Sequence, residues 1–191
     1  LAGALCGYIW GALVGILKAK FDVNEVISSI MMNWIAFYFS NYLLSFPLIR
    51  NIESDNSYSI KESASIKIAG AWKTSKSGRA YLAQNKFLRD ILNPPVNFGI
   101  IIAIIAAIVI WYILKKTTLG YELRAVGFNE KAAEYGGINI NKSIVKSMGI
   151  AGILSGLAGA ITVLGVSGNI GMMAAQEGYG FDGMAVALIA G

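Results

Sequence analysis

The chain has 191 residues, of which 55% are hydrophobic and only 14% charged, against about 45–50% and about 25% in an average soluble domain, which argues against an ordinary soluble enzyme. Its single cysteine, Cys6, excludes an internal disulfide, and no histidine is present to supply the usual metal ligand or acid–base group, so no metal site, cofactor or catalytic residue is expected. The net charge of +5 lies in polar segments that flank apolar runs, which favours contact with membrane lipid over binding of nucleic acid.

The first apolar run, Leu1–Leu17, predicts a membrane helix. It is slightly shorter than the about 20 residues that cross a bilayer core of ~30 Å. Because it starts inside an apolar run and without methionine, the chain is interpreted as an internal fragment of a longer protein. Glycine recurs at every fourth position of this run, a pattern that lets a second helix approach closely. These glycines are Gly3, Gly7, Gly11 and Gly15.

The second apolar run, Val26–Ile49, follows the short polar connection Lys18–Glu25 and is long enough to span a bilayer. Asn33 and Asn41 lie eight residues apart in it, about 80° around a helix, and so share a broad face. Two interpretations are equally open: a path for a neutral polar solute, or hydrogen bonds between helices. Trp34 favours a solute with an aromatic ring, although aromatic residues in a span more often serve packing.

The long polar connection Arg50–Pro95 separates the second run from the third, Val96–Leu114, which fits a span directly. Within the connection, Tyr81–Leu92 carries apolar residues on one helical face and predicts a helix lying on the membrane surface. Alternation of the spans places Arg50–Pro95 on one side of the membrane and the connections Lys18–Glu25 and Lys115–Lys146 on the other. We expect Lys115–Lys146 in the cytoplasm and Arg50–Pro95 outside the cell. Two lysines that directly follow the third span support this orientation.

The cytoplasmic connection contains a short predicted helix of about two turns. Asn129 is a suitable N-cap, Glu130 suits the first turn, and Gly136 with Gly137 ends the helix. An isolated helix of this length is marginal in water, so it requires contacts with the rest of the protein or with a partner. Its two alanines and Tyr135 predict a surface that fits a groove.

The fourth apolar run, Ser147–Gln176, is too long and too rich in glycine for one plain span. It predicts a helix near Ser147–Val166 and then an irregular connection over Ser167–Gly180, followed by the start of a further helix at Met184–Ala190. Asp182 is predicted to cap that helix. The helix near Ser147–Val166 carries a second glycine ladder: Gly149, Gly152, Gly156 and Gly159.

Together these motifs resemble the membrane permeases of bacterial ABC importers that serve branched-chain amino acids, ribose-type sugars and nucleosides. The resemblance rests on Thr118-Leu119-Gly120, Arg124-Ala125-Val126-Gly127, Gly136-Gly137-Ile138 and the small-residue helix that follows. Two further runs, at 17–33 and 180–188, resemble the nucleoside branch. In that family the short helix is a coupling helix that docks on an ATPase. The resemblance therefore implies that the following residues couple the permease to the ATPase: Arg124, Gly127, Asn129, Ala132, Ala133, Glu134 and Gly136.

The resemblance implies an all-α, polytopic helical bundle in the bacterial cell membrane, with residues 1–191 forming one transmembrane permease domain. The implied partners are an ABC ATPase subunit, a second permease subunit and an extracytoplasmic lipoprotein that binds the solute, a nucleoside. ATP hydrolysis is expected on the ATPase, because this chain lacks a G-x-x-x-x-G-K-[ST] phosphate loop. The alternatives are a permease for ribose-type sugars or branched-chain amino acids, an ion-coupled secondary transporter, and a membrane scaffold that transports nothing.

Overall fold

The computed structural model describes residues 1–47, 49–51, 56–61, 64, 66, 97–176 and 178–190. Within these ranges the chain is mostly helical, and its β-type pairing is limited to isolated bridges. This confirms the predicted all-α class. The surface helix predicted over Tyr81–Leu92 lies outside the described residues. The helices are α1 (Ala2–Phe21), α2 (Glu25–Leu44), α3 (Gly99–Lys116), α4 (Thr118–Phe128), α5 (Glu130–Tyr135), α6 (Ile140–Thr162) and α7 (Tyr179–Ala190).

Three of the described helical segments are long and apolar enough to cross a membrane: Ala2–Phe21, Gly99–Lys116 and Ile140–Ser167. The last of these is α6 together with one π-helical turn, Val163–Ser167. The predicted span at Val26–Ile49 does form a helix, α2, of 20 residues. Its serines and asparagines make it less apolar than the other three, so it is not one of the three spans identified by length and hydropathy.

Two helix starts differ from the sequence prediction. Helix α6 begins at Ile140 rather than near Ser147, because Asn139 caps it by accepting a hydrogen bond from the backbone N–H of Lys142 at 3.0 Å. Helix α7 begins at Tyr179, so Asp182 lies inside its first turn and not at the N-cap as predicted. There a carboxylate still faces the positive end of the helix dipole.

Contacts divide the chain into two units, residues 1–32 with 59–169 and residues 33–58 with 170–191. The first unit is built on an antiparallel pair, α1 against α6, whose glycine ladders face one another. A Cβ atom at Gly7 would collide with the carbonyl oxygen of Gly152, and one at Gly3 would lie 3.1 Å from the carbonyl oxygen of Gly156. Backbone therefore meets backbone along this interface, as the ladders predicted.

One predicted ladder position does not take part in this interface. A Cβ atom at Gly159 would meet no other atom within 4 Å. Gly149 is different again, because a Cβ atom there would collide with the ring of Tyr8 on α1. The glycine spacing of three or four residues thus identified the two helices correctly, but which glycines touch depends on how the helices cross.

The connections of the first unit lie at opposite ends of α6. At its C-terminal end, Ile60 donates its backbone N–H to the carbonyl oxygen of Gly168 at 2.9 Å, and Ile66 donates to Leu164 at 3.2 Å. At its N-terminal end, Ser143 and Ile144 share a cavity with Lys18 and with residues of α4. The short polar connection after α1 and the α4–α5 segment therefore lie at one end of the α1–α6 pair, and Ile60 and Ile66 lie at the other.

The second unit, residues 33–58 with 170–191, contains most of α2 and all of α7. Its irregular backbone forms a small patch of strand-like pairing. Arg50 pairs with Ser57, and Asn56 pairs with Gly171, both in antiparallel register. The side chain of Asn41 binds the backbone of Met173 in the same unit.

Candidate coupling segment and solute path

A sharp corner between α3 and α4 sets the direction of the coupling segment. Thr117 donates its hydroxyl to the carbonyl oxygen of Ile113 at 2.6 Å and accepts from the backbone N–H of Gly120 at 3.2 Å. A Cβ atom at Gly120 would collide with the backbone of Ile113 and Leu114. Only glycine therefore lets the first turn of α4 fold back so closely onto the end of α3.

Asn129 joins α4 to α5. Its backbone N–H donates to the carbonyl oxygen of Ala125 at 3.1 Å and so ends α4, and its side-chain oxygen accepts from the backbone N–H of Ala132 at 3.1 Å and so begins α5. At the other end, Gly136 donates to Ala132, and Gly137 takes a left-handed conformation with φ of 79°. The predicted helix, its N-cap and its C-terminal glycines are thus confirmed.

The two alanines of α5 point in different directions. Ala133 is only 5% exposed, so it packs against its own chain, whereas Ala132 is exposed. The outward surface also contains Glu134 and two aromatic side chains, Phe128 at 90% exposure and Tyr135 at 95%. Of the two alanines expected on the groove-fitting surface, the structure therefore exposes Ala132 and buries Ala133.

The other residues predicted for coupling lie along the same segment. The exposed Arg124 donates from Nε to the carbonyl oxygen of Gly120 at 3.4 Å, one turn back in α4. Gly127 has open space where a Cβ atom would be, so close packing does not explain this glycine. Gly136 is exposed and forms the C-cap of α5.

A cavity of about 180 Å³ separates this segment from the end of α1. Lys18 and Glu25 line one side, Val126 and Glu130 line the coupling side, and Ser143 belongs to α6. Ser143 is only 2% exposed. Residues of α1, α4, α5 and α6 therefore all border this one cavity.

Lys18 holds the turn between α1 and α2. Its Nζ atom lies 3.3 Å from a carboxylate oxygen of Asp22 and 3.4 Å from one of Glu25. The pKa of the Glu25 carboxyl lies below its ordinary value, first because it accepts a hydrogen bond from its own backbone N–H and then because Lys18 donates to it. Asp22 is exposed, and Lys18 and Glu25 are partly exposed, so these ion pairs orient the turn more than they stabilise the fold.

The three residues predicted for the solute path are all in the second unit but differ in their surroundings. Asn33 is exposed, and its side chain makes no hydrogen bond to any residue that the structure describes. Trp34 is 44% exposed and belongs to an aromatic cluster, stacked on Tyr38 with ring centroids 5.9 Å apart and edge-on to Phe37 at 5.7 Å. This cluster and the Asn33 amide offer an aromatic face beside a free polar group.

The side-chain amide of Asn41 already forms two hydrogen bonds within the protein. Its Nδ2 atom donates to the carbonyl oxygen of Met173 at 3.0 Å, and its Oδ1 atom accepts from the Met173 backbone N–H at 3.1 Å. Sequence reasoning left open whether this amide serves a solute or the protein, and it missed Met173. No local signal points to Met173, because the two residues are 132 positions apart.

An apolar groove of about 610 Å³ runs between α3 and α6 in the first unit. Its walls contain no charged side chain and no amide, so it matches hydrocarbon and not a polar solute. The lining residues are Ile102, Ala103, Ala106, Ala107, Ile110, Trp111, Leu114, Leu154, Leu157, Ala158 and Ile161.

Comparison with known proteins decides the family. The family model described as "Branched-chain amino acid transport system / permease component" matches residues 1–191. The chain belongs to this permease family. The resemblance noted from the motifs is thereby confirmed, and the long apolar helices agree with a membrane protein of this transport family.

Within the permease family, the chain is 41% identical over its full length to the guanosine ABC transporter permease protein NupP of Bacillus subtilis, covering 50% of that protein. It is 37% identical over its full length to the nucleoside ABC transporter permease protein NupB of Lactococcus lactis, covering 49%. The glucose ABC transporter permease protein TsgB13 of Haloferax volcanii is 26% identical over 99% of the chain, which covers 47% of it.

The chain thus spans about half the length of these curated relatives. No solved structure is significantly similar to it.

Proposed function

We propose that the chain is part of the permease subunit of an ATP-driven importer that takes up nucleosides across the bacterial plasma membrane. The observation that carries this proposal is the position and exposure of helix α5. The helix follows the corner at Gly120, at the polar end of the α1–α6 pair. Phe128, Ala132 and Tyr135 are exposed there, beyond the membrane-spanning helices. In the proposal this surface binds a cytoplasmic ATPase subunit.

The proposed mechanism depends on the rigidity of the α1–α6 pair. When the ATPase closes on ATP, it moves α5, and the cavity-lining contacts carry that motion to α1 and α6. These two helices cannot slide apart easily, because their backbones are in direct contact along the glycine ladders. They therefore move as one element, and this motion exposes the solute path first to one side of the membrane and then to the other. A second permease subunit completes the path.

Support for a nucleoside as the solute comes from two sources. Two relatives that match the whole chain carry guanosine or nucleoside in their names. The second unit places the unbonded amide of Asn33 on the same helix as the exposed Trp34 cluster, and a nucleoside needs both hydrogen bonds and stacking. An extracytoplasmic binding lipoprotein is proposed to deliver it.

The substrate is tested by competition uptake in membrane vesicles that contain the full-length permease with its partners. We expect unlabelled guanosine to inhibit uptake of labelled guanosine, with ribose and leucine having no effect at the same concentration. Inhibition by ribose or leucine alone would assign the chain to a different branch of the family. Uptake that continues without ATP and follows an ion gradient would contradict the ATP-driven mechanism.

The coupling role is tested by Ala132→Arg. This position is exposed, so the larger side chain does not disturb the fold of its own subunit, but it fills the space that an ATPase needs. We expect uptake to be lost while the lipoprotein still captures solute. Asn141→Arg is the matched control, because it places the same charge on an exposed position of α6 outside α5. Unchanged uptake in the Ala132→Arg variant would count against docking through α5.

A further inference from the structure

In the second unit, the irregular backbone that precedes α7 is held along one edge. Ser57 donates its backbone N–H to the carbonyl oxygen of Ile170 at 2.8 Å and accepts at Oγ from the Ile170 N–H at 2.9 Å. The next residue, Gly171, pairs with Asn56, and a Cβ atom there would lie 2.8 Å from the Asn56 side-chain oxygen. A larger residue there would therefore require the Asn56 side chain to move.

Asn41 extends the same pairing with its side chain. It bonds both the N–H and the C=O of Met173, as a neighbouring strand would. One amide thus replaces a pair of backbone hydrogen bonds and holds the segment against α2. An amide used in this way is a poor candidate for direct solute contact, since its main donor and acceptor are already occupied.

Beyond Met173 the pairing stops. Among the residues that the structure describes, the backbone N–H groups of Ala174, Ala175 and Gln176 have no acceptor. The side chains there are exposed, including those of Met172 at 43% and Met173 at 36%. Unpaired peptide groups are costly in hydrocarbon, so irregular backbone in a membrane protein is placed against water, a cavity or other protein.

From this geometry we infer that the segment Met172–Gln176 lines the solute path and that Asn41 is a positioning residue that holds it there. The segment offers free peptide donors and soft methionine side chains, which suit a neutral, hydrogen-bonding ring such as the base of a nucleoside. This inference rests on the proposed function, because it names the surface that the imported solute meets.

The test is thiol labelling of the full-length permease reconstituted with its ATPase and lipoprotein. Cys6 is exposed, so Cys6→Ser provides the background, and Ala174→Cys places a thiol on the segment. Tyr58→Cys is the control, because Tyr58 is 54% exposed in the same unit but lies outside the segment. We expect guanosine with lipoprotein to slow labelling by a membrane-impermeant maleimide severalfold in the Ala174→Cys variant and not in the Tyr58→Cys variant.

Two results would overturn the inference. If the Ala174→Cys variant does not react at all, the segment is sealed from water. If lipoprotein without guanosine slows labelling just as much, the segment is a surface for that partner and not part of the solute path. Guanosine uptake by the Cys6→Ser permease is measured in parallel. Normal uptake without protection refutes this inference alone, whereas absence of uptake refutes the proposed function as well.

The role of Asn41 has its own readout. Combining Asn41→Leu with Ala174→Cys removes both bonds to Met173, so we expect the labelling rate to change even without guanosine. Asn33→Leu in the same background is the control, because the Asn33 side chain holds no described residue in place. A residue that touches only the solute would leave labelling without guanosine unchanged. That result would contradict the positioning role.

Discussion

Asn129 shows how much of the coupling segment depends on one side chain. The residue ends α4 and caps α5, and α5 has only six residues. Loss of an N-cap costs about 1 kcal/mol, which a long packed helix tolerates and a two-turn helix does not. We therefore expect Asn129→Ala to lower the rate of uptake and to speed tryptic cleavage after Lys131, which lies inside α5.

Two controls separate this effect from general damage. Asn129→Asp keeps an oxygen that accepts from Ala132 and is expected to restore both uptake and protease resistance. Asn139→Ala removes a cap of the same kind from α6, a helix of 23 residues, and should leave cleavage after Lys131 unchanged. If Asn129→Ala resists trypsin like the parent protein, the cap does not hold α5 in place.

The pair α1 and α6 is stabilised by close backbone contact, and its glycines are not equivalent. Gly7→Ala places a methyl group against the carbonyl oxygen of Gly152, and such overpacking costs about 1–3 kcal/mol. Gly159→Ala meets no atom within 4 Å and replaces glycine by a better helix former, a gain of up to about 1 kcal/mol.

The same substitution should therefore change stability in opposite directions at the two sites. We expect a lower thermal midpoint for the purified full-length permease with Gly7→Ala and an equal or higher one with Gly159→Ala. Equal losses at both positions would show that helix propensity or lipid contact, and not the α1–α6 interface, decides the role of these glycines.

The proposed orientation of the molecule places Lys61 outside the cell and the α4–α5 segment in the cytoplasm, at opposite ends of α6. Lys61 and Tyr135 are exposed at these two ends. In the Cys6→Ser background, Lys61→Cys should react with an impermeant thiol reagent in intact cells. Tyr135→Cys should react only after the membrane is opened. The reverse pattern would place the coupling segment outside and exclude docking on a cytoplasmic ATPase.

Much of this architecture is local in origin and could be read from the chain. Hydrophobic runs predicted the helices, and Asn129 with Gly136 and Gly137 predicted the ends of α5, since caps act within one turn. The glycine ladders predicted close packing of α1 and α6. The start of α6 was missed because the lysines near it obscured its N-cap, Asn139.

Packing between residues far apart in the sequence determined which side chains and glycines make contacts. The crossing of α1 and α6 determined that Gly7 meets Gly152 while Gly159 meets nothing. Packing of α5 on its own chain buried Ala133 and left Ala132 free. The pairing of Asn41 with Met173 joins residues 132 positions apart. Composition and spacing therefore specify helices and their caps, because those interactions lie within a few residues, whereas the partner of an amide depends on which distant backbone the fold brings beside it.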